Sequence, residues 1–197
     1  MNFFKKLFKN YTESQLNKEI NAQPVHLSLD DSFVHNFINK GGKFLYCTKI
    51  SEVENNLKNI ALENNWNEIS CTDIDLLKIA GNLNININSN LNNHTIPFFT
   101  TCEHLIANNG DILFSSNQLG SQKLASLAED FIVYATTSQL VKNNGEALTA
   151  IKTHFSGNIP TNISAVRNYT IKKGEDSFLD YGSSNSKNLY LLLFEDL

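Results

Sequence analysis

Residues Phe98–Gln139 read FFTTCEHLIANNGDILFSSNQLGSQKLASLAEDFIVYATTSQ, a stretch in which three apolar runs each end in small polar residues. We name these the first, second and third polar segments: Thr100–Glu103, Ser115–Gln118 and Thr136–Gln139. In an open α/β sheet, ligands bind in the crevice beyond the carboxyl ends of the strands. Hydroxyl and amide groups suit that position because they bind ligand oxygens. We therefore expect the three segments to line one crevice.

The ligand-binding candidates from this pattern are the polar residues of the segments and one nearby cation: Thr100, Thr101, Glu103, Ser115, Ser116, Asn117, Gln118, Lys123, Thr136, Thr137 and Ser138. Ordinary loop chemistry is the alternative for each segment alone, since Ser, Thr and Asn favour turns. Glu103 is the catalytic candidate, as general base or nucleophile, against the alternative of a solvated or capping acid. If Ile112–Phe114 ran antiparallel beside Phe131–Ala135, however, the second and third segments would emerge at opposite edges.

Upstream of this stretch, strand and helix signals alternate. Lys43–Cys47 and Glu68–Cys71 read as strands, and capping boxes at Ser51–Glu54 and Thr72–Asp75 start the helices behind them. An earlier helix ends at Gly41-Gly42. This β-α-β-α order predicts an α/β fold with a mixed, mostly parallel sheet and helices on both faces.

From Asn82 onward the pattern is mainly that of strands. Asn82–Asn92 alternates apolar residues with asparagine, which is typical of a half-buried strand near an edge. Leu105–Phe114 predicts a hairpin with a type I′ turn at Asn109-Gly110. Phe131–Ala135 is continuously apolar and should be central, and Leu189–Phe194 should be the last strand.

The N-terminal residues differ from the rest, so we divide the chain into an N-terminal segment with linker, 1–29, and an α/β domain, 30–197. At helical spacing, apolar and basic side chains of the first nine residues fall on opposite faces: Phe3, Phe4, Leu7 and Phe8 against Lys5, Lys6 and Lys9. This pattern predicts a helix that docks on a membrane surface or a partner. The alternative is a short helix that packs on its own domain or frays.

Composition excludes several classes of function. The net charge of −4 argues against non-specific nucleic-acid binding. The three cysteines form no Cys-x-x-Cys motif, so we expect no metal and no iron–sulfur cluster. No Walker loop or Gly-x-Gly-x-x-Gly motif occurs, so we expect no other cofactor. No apolar run is long enough to span a membrane and no signal-peptide pattern occurs, so we expect a cytoplasmic protein without a transmembrane segment. The 29 asparagines are best explained by mutational bias.

The central stretch resembles the LUD domain family, whose members include lactate-utilisation proteins. Family members carry Thr-Gly-Ala-acid-x-x-Ile-Ala-x-x-Gly before an apolar strand, and this chain matches at Thr100, Glu103, Ile106, Ala107 and Gly110. Lys123 falls near a position where many members have arginine. The likeness covers 33–197 and is nearest to a short single-domain branch. Two departures are a threonine, Thr101, in place of glycine, and the loss around 167–176 of a motif near the C-terminus.

The resemblance implies a NagB/RpiA/CoA-transferase-like fold and adds Gly110 to the ligand-binding candidates. It implies an accessory or small-ligand-binding subunit in the utilisation of lactate or a related organic acid, without its own redox centre. Iron–sulfur or other lactate-utilisation subunits would then be the partners. A transferase or isomerase acting on a small phosphorylated or CoA-linked substrate is the alternative, and a regulatory protein remains a third class.

Overall fold

The computed structural model describes residues 27–83, 85–91, 93–170 and 185–196. Within these residues the elements run in the order α1 (Leu29–Asn39), β1 (Lys43–Cys47), α2 (Ile50–Glu63), β2 (Glu68–Ser70), α3 (Ile74–Gly81), β3 (Asn86–Asn88), β4 (Phe98–Thr100), β5 (His104–Ile106), β6 (Asp111–Phe114), α4 (Ser116–Leu119), β7 (Asp130–Thr136), β8 (Leu140–Val141), α5 (Asn144–His154), β9 (Ser164–Val166) and β10 (Asn188–Phe194). The amphipathic pattern of residues 1–9 lies outside the described residues.

The strands form two sheets. Six parallel strands make the larger sheet, in the order β1-β10-β7-β4-β2-β3. The smaller sheet has the order β8-β5-β6-β9, and β6 runs antiparallel to both of its neighbours. The predicted α/β fold with a mostly parallel sheet is confirmed, and the antiparallel pairs are confined to the smaller sheet.

Three apolar clusters hold the layers together. On one face of the larger sheet, buried side chains of α2 and α3 pack against Ile69, Phe99, Ile132 and Leu192. On the other face, α1 and the smaller sheet pack together over β4, β7 and β10. Helix α5 covers the far side of the smaller sheet. The larger sheet therefore has helices on both faces, as the sequence predicts, with the smaller sheet inserted on one side.

The predicted positions of the strands in the larger sheet agree with the structure. The continuously apolar strand β7 lies between β10 and β4, and all but its ends and Tyr134 are buried. The asparagine-rich strand is an edge strand, but only Asn86–Asn88 pairs with a neighbour. It is short because β2, its partner, spans only Glu68–Ser70.

The structure starts both helices, but the predicted capping boxes at Ser51–Glu54 and Thr72–Asp75 are wrong in detail. Helix α2 starts at Ile50, and the Glu52 carboxylate accepts hydrogen bonds from the backbone N–H and hydroxyl of Thr48, so Ser51 is already inside the helix. At α3 the N-cap is Asp73, which accepts from the N–H groups of Asp75 and Leu76. An aspartate competes well for this position because its carboxylate also interacts favourably with the helix dipole.

The hairpin of β5 and β6 is confirmed, but its turn is not type I′. That turn needs a positive φ at both central residues. Gly110 has φ +71°, whereas Asn109 does not adopt a positive φ. The Asn109 side chain instead bonds locally, accepting from the Asp111 N–H and donating to the Asp111 carboxylate.

No helix in the described part of the chain is both long enough and apolar enough to cross a bilayer.

Lys187 enters the core just before β10. Its ammonium donates to the carbonyls of Leu127 and Ala128, at 3.0 and 2.8 Å, and lies 5.2 Å from the centre of the Phe131 ring. The residue is only 3% exposed. Burial disfavours the charged form and lowers the pKa of Lys187 from 10.5 to about 8, which nearby Glu129 offsets only in part.

This lowered pKa predicts a pH-dependent stability. Between about pH 8 and 10.5 the unfolded chain binds a proton at Lys187 that the folded chain has lost, so this group makes the free energy of unfolding rise with pH. We expect the wild type to gain stability over this window relative to Lys187→Met. Urea titrations of both proteins at several pH values measure the difference. Lys152→Met, at an exposed lysine, is the control and should follow the wild type. A difference between wild type and Lys187→Met that stays constant with pH would contradict the prediction.

Candidate functional site

The first and second polar segments meet because of the path of the smaller sheet. Strand β4 ends at Thr100, and β5 begins at His104, directly beyond it. Strand β6 returns antiparallel to β5, so the Glu103 N–H donates to the Leu113 carbonyl, at 2.8 Å. The chain after β6 thus emerges beside Glu103, at the carboxyl end of the larger sheet. An antiparallel pairing of β6 with β7 would have sent the second and third segments to opposite edges. It does not occur, since β6 pairs with β5 and β9 and not with β7.

Glu103 is the centre of the resulting cluster. One of its carboxylate oxygens accepts from the Ser115 hydroxyl at 2.6 Å, the Asn117 amide at 2.9 Å and the Gln118 amide at 3.1 Å. Ser115 also caps α4, because its hydroxyl accepts from the Asn117 N–H while Gln118 accepts from the Ser115 N–H. Ser115 is buried, Glu103 and Gln118 are half-buried, and Asn117 is exposed.

The third polar segment forms a similar cluster around another carboxylate, Asp196, which follows β10. Asp196 accepts from the Thr137 hydroxyl at 2.7 Å, the Ser138 N–H at 3.0 Å and the Ser138 hydroxyl at 2.6 Å. These hydrogen bonds hold the pKa of Asp196 well below its usual value, the Ser138 hydroxyl having the largest effect. The carboxylate is therefore ionised at neutral pH, although the groups that hold it are uncharged.

Gln139 joins the third segment to the first. Its side-chain oxygen accepts from the Thr136 N–H at 2.8 Å, and its amide donates to the carbonyls of Cys102 and Glu103. The His104 ring approaches the Gln139 carbonyl at 3.2 Å. Backbone and side chains of all three segments are thus connected by hydrogen bonds at one end of the domain.

Four of the candidates lie at the margin of this arrangement or away from it. Thr100 is buried and its hydroxyl donates to the Thr101 carbonyl, whereas the Ser116 hydroxyl accepts from the Thr161 N–H, at 3.0 Å. Lys123 is exposed, beyond α4. Gly110 lies in the hairpin turn, at the opposite end of β5 and β6 from Glu103, and packs against α1. Gly110 therefore has a packing role in the structure and lies apart from the other ligand-binding candidates.

The charge of the cluster limits the chemistry it can perform. Donors that suit a carboxylate or phosphate ligand already bind the protein's own carboxylates, Glu103 and Asp196. An added anion would have to displace them and would be repelled by both charges. A ligand hydroxyl faces no such penalty, because carboxylate oxygens have further lone pairs that accept hydrogen bonds. The arrangement therefore favours ligands that donate hydrogen bonds.

Two residues of this cluster were not among the candidates from the sequence. Asp196 comes two residues after the apolar run of β10, so the rule applied to the other strands, a polar group directly after a buried strand, could have found it. Gln139 was part of the third segment, but its reach to Cys102 and Glu103 depends on the register between β7 and β4, which one sequence does not reveal.

Cysteine and histidine provide no metal centre in the described ranges, where no group of three or more His, Cys, Asp and Glu side chains is arranged to hold a metal ion. Cys47, Cys71 and Cys102 are each buried and unbridged. Burial raises the pKa of the Cys71 thiol to about 11 and that of Cys102 further. Both are protonated at neutral pH, which makes them poor nucleophiles.

Comparisons with known proteins place the fold. No protein-family profile matches the chain, and no curated protein sequence matches it. A solved structure does: a crystal structure of a DUF162 family protein from Deinococcus radiodurans superposes with a TM-score of 0.58 at 13% sequence identity, covering 86% of this chain and 99% of that one. DUF162 is the LUD-domain family. At this identity the likeness shows a shared fold and leaves the activity open.

Proposed function

We propose that this protein is a LUD-type domain that binds a small hydroxylated molecule at the carboxyl end of its parallel sheet. Its role would be that of an accessory subunit in the utilisation of lactate or a related organic acid. The observation that carries the proposal is the hydrogen-bonded union of the three polar segments through Glu103 and Gln139. The fold shared with a DUF162 protein and the motif matches around Glu103 support the family assignment.

The ligand class follows from the polarity of the cluster. A 2-hydroxy acid such as lactate has one hydroxyl donor, and Glu103 offers it a half-buried carboxylate acceptor whose other contacts are neutral donors. The ligand's own carboxylate would lie toward solvent, away from Glu103 and Asp196, because like charges repel most strongly where water is excluded. Oxidation of such a substrate needs an electron acceptor, which we assign to partner proteins such as iron–sulfur subunits.

Thermal-shift measurements test the proposal with short 2-hydroxy acids, the matching acids without the hydroxyl, sugar phosphates and CoA esters. A ligand at 100 times its dissociation constant should stabilise the fold by about 2.7 kcal/mol. We expect a shift with hydroxylated acids and a smaller one with their deoxy counterparts. Asn117→Ala and Thr137→Ala should each reduce it, and Glu103→Gln should reduce it most.

The control is Thr153→Ala, an exposed position on α5 away from the cluster, which should keep the full shift. A robust shift that survives all three cluster substitutions would place the ligand elsewhere and refute the proposed site. Equal shifts with hydroxylated and deoxy acids would refute the role of Glu103 as hydroxyl acceptor.

A transferase or isomerase acting on a small phosphorylated or CoA-linked substrate is the second candidate, in which Glu103 would be the base or nucleophile and the anionic groups of the substrate would lie toward solvent. A half-buried carboxylate held by three donors on one oxygen is positioned to act as a base or nucleophile through the other. The two functions differ in their response to Glu103→Asp. Hydroxyl binding should survive the shorter carboxylate in part, whereas turnover of a sugar phosphate or CoA ester should fall by orders of magnitude.

A further inference from the structure

The carboxyl end of β1 carries an exposed apolar surface on which several carboxylates outnumber the lysine beside them, Lys49. The first turn of α1 lies there, because α1 ends at Asn39, just before β1 begins at Lys43. Glu195 lies at the same place, since its N–H donates to the Cys47 carbonyl at 2.8 Å. Tyr46 lies between Asp30 and Glu195. Burial raises the pKa of its hydroxyl most, and the hydrogen bond to Glu195 and the charge of Asp30 raise this pKa further.

We name this the β1-end surface and define it by three acidic and three apolar residues: Asp30, Glu195, Asp196, Leu27, Leu29 and Ile50. Its apolar members are exposed, with exposed fractions of 52% for Leu27, 40% for Leu29 and 42% for Ile50. Large apolar side chains close to several carboxylates suit a partner that is basic on one side and apolar on the other.

The chain itself contains such a segment. Residues 2–9 read NFFKKLFK, with four large apolar residues, three lysines and no acidic residue. At helical spacing the lysines fall opposite the aromatic and leucine side chains. An unpartnered segment of this kind would expose four large apolar groups to water, so it gains free energy from any apolar surface within reach.

The length of the intervening chain lets this segment reach the β1-end surface. The described structure begins at Leu27, itself a member of that surface, and residues 10–26 separate it from the basic segment. A random-coil chain of 17 residues has an r.m.s. end-to-end distance of about 21–25 Å. Tethers of this length give effective concentrations of about 1 mM. With an intrinsic Kd of about 0.1 mM, docked molecules would outnumber undocked ones about ten to one.

We propose that residues 2–9 dock on the β1-end surface of their own molecule, with the lysines on Asp30, Glu195 and Asp196. The docked segment would lie next to the third polar segment, because Asp196 belongs to both places. Docking on this surface requires neither the ligand nor the partner proteins proposed above.

Paramagnetic relaxation in the full-length chain tests this directly. The native cysteines are buried, so a nitroxide reagent should label Asn2→Cys alone, and unsubstituted protein is the labelling control. We expect at least twofold broadening of the amide signals of Asp30, Glu195 and Asp196, and none at Asn39 or Asn65, at the other ends of α1 and α2. The charge reversal Lys5→Glu/Lys6→Glu/Lys9→Glu should abolish the broadening, and the matched Lys→Arg triple variant should keep it.

Combining the charge reversal with Asp30→Lys and Glu195→Lys should restore the broadening, which a purely structural disturbance would not. Uniform or absent broadening, or insensitivity to charge reversal, would overturn the proposal. A second experiment mixes nitroxide-labelled protein of natural isotope abundance with ¹⁵N protein that carries no nitroxide. Broadening in this mixture would mean docking on a second copy and would also overturn the proposal. So would charge-dependent binding to phosphatidylglycerol vesicles without broadening at the β1-end surface.

Discussion

Replacing Gly110 with alanine should destabilise the domain by about 3–5 kcal/mol. Gly110 has φ +71°, a backbone region that costs an L-residue about 1–2 kcal/mol. A Cβ there would also lie 2.6 Å from the Phe37 nitrogen and 2.7 Å from the Asn36 carbonyl carbon. These are backbone atoms of α1 and cannot move aside like a side chain, so the hairpin and α1 must separate, at a cost of a few kcal/mol more. Urea unfolding measures the total.

Gly157→Ala is the matched control. Gly157 also has a positive φ, +95°, but nothing lies within 4 Å of the position its Cβ would occupy. Its substitution should therefore cost only the backbone strain, about 1–2 kcal/mol. Equal destabilisation by the two variants would show that the contact between the hairpin and α1 contributes nothing. A ligand-binding role for Gly110 would instead predict lost binding with stability unchanged.

Replacing Phe131 with alanine should cost about 3–5 kcal/mol, the range for a large aromatic residue in a core. Phe131 is fully buried in the central strand β7 and packs edge-to-face on Phe98 of the same sheet and Phe114 of the smaller sheet, with ring centres 5.3 and 5.9 Å away. Phe114 precedes Ser115, so the cavity would also loosen the support of the Glu103 cluster. The check is the denaturation midpoint together with hydrogen exchange at the Ser115 and Asn117 amides.

Phe131→Leu is the control for this prediction, because leucine keeps most of the apolar volume and should cost less than half as much. If Phe131→Ala lowered stability without faster exchange at Ser115 and Asn117, the two sheets would be independent at this point. The predicted support of the candidate site by the core would then be wrong.

Much of the fold follows from the sequence because its signals are local. The apolar runs of β1, β7 and β10 and the helical spacing of Val53, Leu57 and Ile60 determine which elements form and which faces are buried. Where two local signals compete, the sequence is less decisive. At the start of α2, Lys49 is the N-cap and the Glu52 carboxylate accepts from the Thr48 N–H, so the Ser51–Glu54 box does not form.

The candidate site was less accessible to sequence reasoning because its contacts are long-range. Its polar groups could be located at strand ends, but their partners could not: Asp196 meets Thr137 across 59 residues of chain, and only the neighbouring positions of β10 and β7 bring them together. The sequence pattern also suggested donors open to the oxygen atoms of a ligand. The structure pairs those donors with Glu103 and Asp196, which reverses the preferred polarity of a ligand.

The position of β10 between β1 and β7 bears on how the chain reaches this structure. Lys43 and Tyr190, side by side across β1 and β10, are 147 residues apart in the chain. Until β10 arrives, β1 has no partner and β7 has one open edge, both rich in apolar residues. Such long-range parallel pairing slows folding and leaves edges that can recruit other chains. We therefore expect slow, late closure of the sheet and a period of vulnerability in which chaperones would protect the nascent protein.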